Sequence, residues 1–391
     1  LAAPETPFST LISQLRASGQ PLWDLTVSNP TEALDNYPHS EIAAALASID
    51  NFRYQPDPMG ILSARQIIAD RLEKRFPGLA PSPAHLALTA STSEAYAVLF
   101  KLLTNPGDEI LVPTPSYPLF DFLARLESVK LSPYRLAYDG SWFVDFASLQ
   151  AAVSPRTRAL ILVNPNNPTG SFIQRADLAR LQEFAFTHSL PLISDEVFMD
   201  YAFDESVTSA KGRVPTLTGQ HHVLTFTLNG LSKACGMPQM KLAWIAVIGP
   251  FAHRQQACAR LEFVLDTYLS VGAPVQLALE PLFAIGDTMQ KCIHIRLRQN
   301  LATLDSLLAN QQIHRLNVEG GWSAILRVPQ ILTEEEWITG LLRHQQVIVQ
   351  PGYFFDMSGG AFLVVSLLTP EQTFSEGIRR ILAFSQQVQT V

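Results

Sequence analysis

The sequence predicts an α/β protein in which a large domain carries a mostly parallel sheet between layers of helices and a smaller α+β domain follows it. Three observations predict this. The chain has 391 residues, too many for one core and enough for two or three domains of roughly 100–200 residues each. Between about residues 84 and 250, short apolar runs without polar alternation take turns with amphipathic helical stretches, the pattern of strands buried on both faces. Beyond about residue 285 the texture changes to short strands interspersed with helices, which marks a separate unit.

Taken in order, HLALTA leads into STSEAYAVLFKLL, EILVPTPS into YPLFDFLARL, and ALILVNPNNPTG into ADLARLQEFAFTH; LPLISDEV, HVLTFTLNG and KLAWIAVIG follow. A long helical stretch, MQKCIHIRLRQNLATLDSLLANQ, then gives way to WSAILRVP, a helix near EEEWITGLLRHQ, VIVQPG and FLVVSLL. The expected division is a Pro- and turn-rich N-terminal segment (1–45) packing with the small domain, a large domain (46–285) and a small C-terminal domain (286–391). In open sheets of this kind ligands bind beyond the carboxyl ends of the strands, so functional side chains are sought there.

Composition narrows the function. Hydrophobic residues make up 47% and charged residues 16% of the chain, so it can bury a large core and is not disordered. So low a charged share also anticipates a partner subunit. The net charge of −7 without a Lys/Arg cluster argues against a nucleic-acid partner, and no stretch reaches the roughly 20 apolar residues of a membrane span. Cys235, Cys258 and Cys292 are odd in number and widely spaced, which reads as reduced thiols in a cytoplasmic protein. The nine histidines show no metal-ligand spacing, so no metal is expected, and His221-His222 reads as a surface feature at a strand entry. The opening LAAPETPFST lacks a basic region ahead of an apolar core and reads as no signal peptide; without an initiator Met, the natural chain is expected to start upstream.

Five strand ends carry chemistry. HLALTA is followed by Ser91-Thr92-Ser93-Glu94 opening a helix; hydroxyls and free N–H groups there form a ready anion site, unless Ser91 is a plain N-cap with Glu94 completing a capping box. EILVPTP is followed by Tyr117, able to stack on a planar ring or simply to pack a turn. ALILV is followed by Asn164-Pro165-Asn166-Asn167-Pro168-Thr169-Gly170, where two prolines and a glycine fix an unusual loop. LPLIS is followed by Asp195 and Glu196; an acid at the end of a buried strand needs a cation opposite, or else caps the next turn. VLTFTLNG is followed by Ser232-Lys233; a partly desolvated lysine has a lowered pKa and acts as an amine nucleophile, whereas a lone lysine is ordinarily a solvated surface cation. A phosphate site, an aromatic, an asparagine loop, an acid and an amine at one edge of one sheet describe a pocket for pyridoxal 5′-phosphate (PLP).

At these positions the sequence resembles the class I/II aminotransferases, PLP fold type I, over nearly the whole chain. The resemblance rests on NPNNPTG at Asn164–Gly170, SDEVF at Ser194–Phe198 and LSKACGMPQMK at Leu231–Lys241, with Tyr54 followed by Gly60 and PGYFF at Pro351–Phe355 in support. It implies that Lys233 carries PLP as a Schiff base and shuttles the proton, and that Asp195 pairs with the pyridine nitrogen. It further implies that Asn167 bonds the phenolic oxygen, Tyr117 stacks on the ring, and Thr92 and Ser93, with Ser91 and Ser232 nearby, hold the phosphate. Tyr54 would reach the phosphate of the partner subunit's cofactor, which implies a homodimer with shared sites.

Four positions depart from the family pattern. Phe198 replaces a tyrosine that bonds the phenolic oxygen. Gly230 replaces a serine on the phosphate. Lys241 stands where an arginine usually holds the phosphate, keeping the charge but losing the bidentate fork. Val364, in Val364-Val365-Ser366, stands where the arginine that grips the substrate α-carboxylate is expected. The remaining candidates for that job are Asn167, backbone N–H groups near Ser28-Asn29, and a displaced arginine such as Arg53 or Arg327.

The implied function is an aminotransferase that passes an amino group between an amino acid, or related amine, and a 2-oxo acid by a ping-pong mechanism. Val364 keeps a PLP lyase, decarboxylase or racemase on the same fold as the alternative. A non-catalytic ligand sensor would be expected to carry a DNA-binding domain, and a nicotinamide oxidoreductase a Gly-rich turn where this chain has STSEA.

Overall fold

The computed structural model describes residues 7–49, 53–204, 212–219 and 222–389. His221 lies outside them, and His222 is exposed. In chain order the main elements begin with α1 (Pro7–Ala17), β1 (Trp23–Asp24), α2 (His39–Ala47) and α3 (Leu62–Arg75). The large sheet and its helices follow: β2 (Leu86–Thr89), α4 (Thr92–Leu103), β3 (Glu109–Thr114), α5 (Leu119–Leu126), β4 (Lys130–Tyr138), β5 (Trp142–Val144), β6 (Thr157–Val163), α6 (Arg175–Thr187), β7 (Leu192–Asp195), β8 (Thr225–Gly230), β9 (Ala243–Ile248) and α7 (Phe251–Asp266). Then come α8 (Leu279–Leu308), β10 (His314–Arg315), β11 (Ser323–Val328), α9 (Glu334–Gln345), β12 (Val347–Ile348), β13 (Gln350–Pro351), β14 (Ala361–Ser366) and α10 (Glu371–Gln389).

The large sheet has the order β2-β9-β8-β7-β6-β3-β4-β5. The pairs β8–β7, β7–β6, β6–β3 and β3–β4 are parallel, whereas β9 runs antiparallel to both its neighbours and β5 antiparallel to β4. The sheet is therefore mostly parallel, as expected. Both faces are covered, and this explains the unbroken apolar runs. In β6, Ala159, Ile161 and Val163 pack on one side with Val98, Phe100 and Leu261, while Leu160 and Leu162 pack on the other with Leu178, Leu181 and Ala185. The β4–β5 hairpin was not expected. β4 contains Pro133 and several exposed positions, so it lacks an apolar run; the legible signal was Asp139-Gly140 between the strands, a pair suited to hairpin turns.

The small domain is a four-stranded antiparallel sheet, β10-β11-β14-β13, packed with α9, α10 and the later part of α8. Thr333 and Glu336 form a reciprocal capping box that starts α9. The boundary expected at 285/286 falls inside α8, a continuous helix of 30 residues. Its Leu279, Leu282, Phe283 and Met289 join the large-domain core, and its Ile293, Leu297, Leu304 and Leu308 the small-domain core. The N-terminal segment also divides. β1 pairs in parallel with β12 and Leu25 enters the small-domain core, but Ile42 and Ala45 of α2 pack with the large domain. Among the described residues no helix is long and apolar enough to cross a membrane, and the three cysteines are unpaired.

Candidate active site

Beyond the carboxyl ends of β2, β6, β7 and β8, a cavity of about 410 Å³ opens between the sheet and the small domain. Ser91, Thr92, Ser93, Tyr117, Asn167, Asp195, Ser232, Lys233 and Lys241 all line it, opposite Trp322, Ser323, Gln350, Phe355 and Ser366. A backbone bond from Ser116 N–H to Phe355 O (3.1 Å) ties the two sides together at the rim.

Lys233 stands on a single helical turn, Leu231–Ala234, directly after β8. Gly230 pairs with Ala243 across β8 and β9, and Leu231 N–H donates to Leu242 O (2.9 Å), so the turn is clamped at its base. The Tyr201 hydroxyl donates to the Lys233 carbonyl (2.6 Å) from below. The Lys233 Nζ lies 4.6 Å from the centre of the Trp322 ring and 5.6 Å from that of Phe198. Burial among these rings lowers its pKa to about 8, against the pull of Asp195. At pH 7 roughly a tenth of the amine is thus uncharged.

Asp195 ends β7. Its carboxylate accepts the Val197 N–H (3.1 Å) and the Tyr96 hydroxyl (3.0 Å). Burial raises its pKa to about 6, while those two hydrogen bonds and Lys233 hold it down. The pleat sends Glu196 away from the cavity, where its buried carboxyl accepts Ser194 Oγ (3.0 Å), Thr216 Oγ1 (2.6 Å) and Leu217 N–H (2.8 Å). Burial pushes it up to about 7. Sequence reasoning did not find Tyr96, although it lies four residues after Thr92 on α4 and so on the same helix face.

The asparagine loop separates scaffold from site. Asn164 is buried, donating to Val214 O (2.9 Å) and accepting Ile173 N–H (2.9 Å), and Asn166 accepts the Thr169 hydroxyl (3.0 Å). Only Asn167 faces the cavity, where its Oδ1 lies 3.4 Å from the Ser323 hydroxyl. Gly170 closes the loop with φ +66°, and a Cβ there would meet Gly320 O at 2.3 Å.

At the other end, Ser91 is the N-cap of α4, its Oγ accepting the Glu94 N–H (3.1 Å). The Glu94 carboxylate accepts the N–H of Ala90, one residue before the cap, so the expected capping box does not close in its usual form. Thr92 and Ser93 begin the helix and turn its first N–H groups toward the cavity. Lys241 reaches the same end from a left-handed backbone position (φ 51°). Tyr117 is 47% exposed at the mouth. Tyr54 lies outside its own chain's cavity, 79% exposed beside a separate surface cleft.

The four departures have structural settings. Phe198 packs edge-on against Trp322 at 5.4 Å. At Gly230 a Cβ would lie 2.8 Å from Ala243 Cβ and 3.0 Å from Leu242 O, so a serine would force β8 and β9 apart. Lys241 keeps a positive charge at the anion end. Val364 is 1% exposed in an apolar cluster with Trp142, Ile325 and Phe355, and Phe355 lines the cavity where Val364 does not. Among the described residues no arginine lines the cavity. Arg327 instead sits 5.6 Å from the Phe362 ring centre, and Arg53 also lies outside the lining.

Residues 18–381 match the family described as Aminotransferase class I and II. The chain belongs to that family. This aminotransferase-family chain is 27% identical over 276 residues to the glutamate-pyruvate aminotransferase AlaA of Escherichia coli (strain K12), a match covering 68% of this chain and 64% of the relative. It is 25% identical over 389 residues to the AlaA of Haemophilus influenzae, covering 95% and 92%. Solved structures share the fold: an alanine aminotransferase from Pyrococcus furiosus superposes with a TM-score of 0.85 at 23% identity, covering 98% of each chain. The tyrosine aminotransferase of Leishmania infantum gives 0.84 at 21% identity, covering 99% of each. The chain is thus an α/β protein of the fold type I aminotransferases.

Proposed function

We propose that this chain binds PLP and transfers an amino group between an amino acid and a 2-oxo acid in two alternating half-reactions. The observation that carries the reading is Lys233, a desolvated amine with a pKa near 8, set within electrostatic reach of the Asp195 carboxylate in an enclosed cavity. The donor set fits the cofactor: an amine for its carbonyl carbon, a carboxylate for its ring nitrogen, and a helix N-terminus with hydroxyls and Lys241 for its phosphate. When bound, the cofactor supplies a ring that accepts the electrons released at the substrate's Cα.

The residues of this chain do the rest. Lys233 binds the cofactor and, once displaced by the substrate amine, holds and returns the proton at Cα. Asp195 keeps a proton on the ring nitrogen, and Tyr96 and the Val197 N–H hold Asp195 in place. Asn167 takes the phenolic oxygen, Tyr117 covers the ring, and Ser91, Thr92, Ser93, Ser232 and Lys241 surround the phosphate. Tyr54, exposed in its own chain, completes the site of a partner subunit in a homodimer. The relatives are named for alanine, glutamate and pyruvate, which makes these the first substrates to test. Three unpaired thiols motivate a cytoplasmic setting.

A second reading, a PLP lyase, decarboxylase or racemase, is favoured by the lack of arginine in the cavity lining among the described residues. Mixing the PLP-loaded protein with single amino acids separates the two. Loss of the cofactor's visible absorbance with release of the matching 2-oxo acid supports transamination; release of ammonia or CO₂, or inversion alone, supports the second reading. Lys233→Ala should abolish the visible band and all turnover. Retained turnover in that variant would remove Lys233 from the role.

A further inference from the structure

We infer that Gln350 anchors the substrate's carboxylate, doing with a neutral amide what an arginine would do with a charge; the inference rests on the aminotransferase reading above. Gln350 lies directly opposite Val364 in the β13–β14 pairing. Directly paired residues project from the same face of a sheet with Cβ atoms about 4.5–5.5 Å apart. The two positions thus share one location, but only one of them reaches the cavity. Val364 is sealed in the cluster with Trp142, Ile325 and Phe355, whereas Gln350 lines the cavity beside Ser323 and Ser366.

Within the chain that carries the cavity, the charge inventory leaves the anchor to neutral groups. The basic residues lining the cavity among the described ones are Lys233 and Lys241, and both are engaged by the cofactor in the proposed function. A carboxylate brought into such a cleft needs donors, or its desolvation goes uncompensated. Nearby hydroxyls are partly committed: the Ser366 hydroxyl oxygen accepts the Leu368 N–H (3.2 Å), and the Ser323 hydroxyl faces Asn167 Oδ1 (3.4 Å). The Gln350 carboxamide bonds to no described residue and brings two N–H donors. Of the other walls, Tyr117, Phe120, Phe354 and Phe355 are apolar or aromatic; Thr26 Oγ1 is spent on Asp24 (2.6 Å), and Ser28 adds one hydroxyl where Gln350 brings two N–H donors. The substrate class that follows is an amino acid whose α-carboxylate is held by hydrogen bonds alone, in a pocket that favours an uncharged side chain.

Calorimetry on the PLP-loaded protein tests this with two unreactive probes of one shape, 3-phenylpropionate and 3-phenylpropan-1-ol. The wild type should bind the acid more tightly than the alcohol. Hydrogen bonds to charged groups are worth enough that Gln350→Leu should weaken the acid roughly tenfold to a hundredfold, leaving the alcohol unchanged. Gln350→Glu keeps the side-chain shape, so it answers the question even if the leucine variant folds poorly; it should weaken the acid at least as much, by repulsion. A wild type that does not prefer the acid, equal losses for both probes, or undiminished acid binding in both variants overturns the anchor. The amino-acid reaction of the wild type is scored separately. Turnover without Gln350-dependent acid binding defeats only the anchor, and Gln350-dependent binding without turnover defeats only the aminotransferase reading.

Discussion

Removing one oxygen atom from Tyr96 should shift Asp195, the acid that the proposed function assigns to the cofactor's ring nitrogen. Tyr96 donates to Asp195 at 3.0 Å, and burial already holds Asp195 at about 6. A hydrogen bond to a charged group contributes about 1.5–3 kcal/mol, and each pKa unit corresponds to about 1.4 kcal/mol. Tyr96→Phe should therefore raise Asp195 by about one to two units, toward pH 7–8. At pH 7 the ionised fraction would fall from roughly nine-tenths to between a half and a tenth. In the proposed function the ring nitrogen pairs with the ionised acid, so PLP affinity should fall roughly two- to tenfold at pH 7. The deficit should shrink as the pH rises beyond the shifted value. The assay is a PLP titration of the apoprotein between pH 6 and 9, followed by the visible absorbance of the lysine-bound cofactor. Affinity profiles that run parallel for the two proteins, offset or not, would refute the argument, because a merely structural loss carries no such pH dependence.

Two further outcomes are expected. Glu196 titrates near 7 in the folded protein against 4.5 for an ordinary glutamate. A raised pKa means stability that is present at low pH and lost as the pH rises through about 4.5 to 7. Glu196→Gln removes that loss, since its amide can donate to Thr216 Oγ1, which passes a hydrogen bond on to Thr218 Oγ1 (2.6 Å). Between pH 5 and 8 the wild-type apoprotein should lose about 2–3 kcal/mol relative to the variant in urea unfolding, and identical pH dependence would contradict the assignment. Val364→Arg places a charge among Trp142, Ile325 and Phe355, so it should destabilise the protein by about 3 kcal/mol or more and leave amino-acid turnover unimproved. A variant with an unchanged melting temperature and faster turnover would show that an arginine can reach the cavity from that strand.

The sheet was legible because burial on both faces leaves an unmistakable record, runs such as ALILV with no polar residue. The strand ends were legible for the opposite reason, since Asp195 and Lys233 interrupt apolar surroundings at a cost that only a partner offsets. What the sequence concealed was direction. Three asparagines in one loop look alike, yet Asn164 and Asn166 build the loop and only Asn167 faces the cavity. Asp195 and Glu196 look like a pair, yet the pleat parts them. Tyr96 and Gln350 were hidden because each sits in an ordinary pattern, one on an amphipathic helix and one beside a proline in a two-residue strand, and only tertiary packing brings them to the cavity. The β4–β5 hairpin was hidden by exposure, which dilutes the apolar signal.

The antiparallel course of β9 has a mechanical consequence. Gly230 and Ala243 face each other across β8 and β9, and Leu231 N–H bonds Leu242 O beside them, so the segment between is a closed ring that carries both Lys233 and Lys241. Thr92 opens α4 directly after β2, and Asp195 ends β7 of the same sheet. Gln350, Phe355 and Ser366 belong to the other domain, which is tied to the first at the rim by the Ser116–Phe355 bond and further in by backbone bonds from Gly321 to Tyr201 O and from Phe203 to Glu319 O. The cavity thus has one jaw built on the large sheet and a second built on the small domain. A swing of the small domain would move Gln350, Phe355 and Ser366 and leave the spacing of Lys233 and Lys241 untouched. In the proposed function, substrate preference would accordingly drift through substitutions on β13 and β14 while Lys233 and Lys241 keep their places.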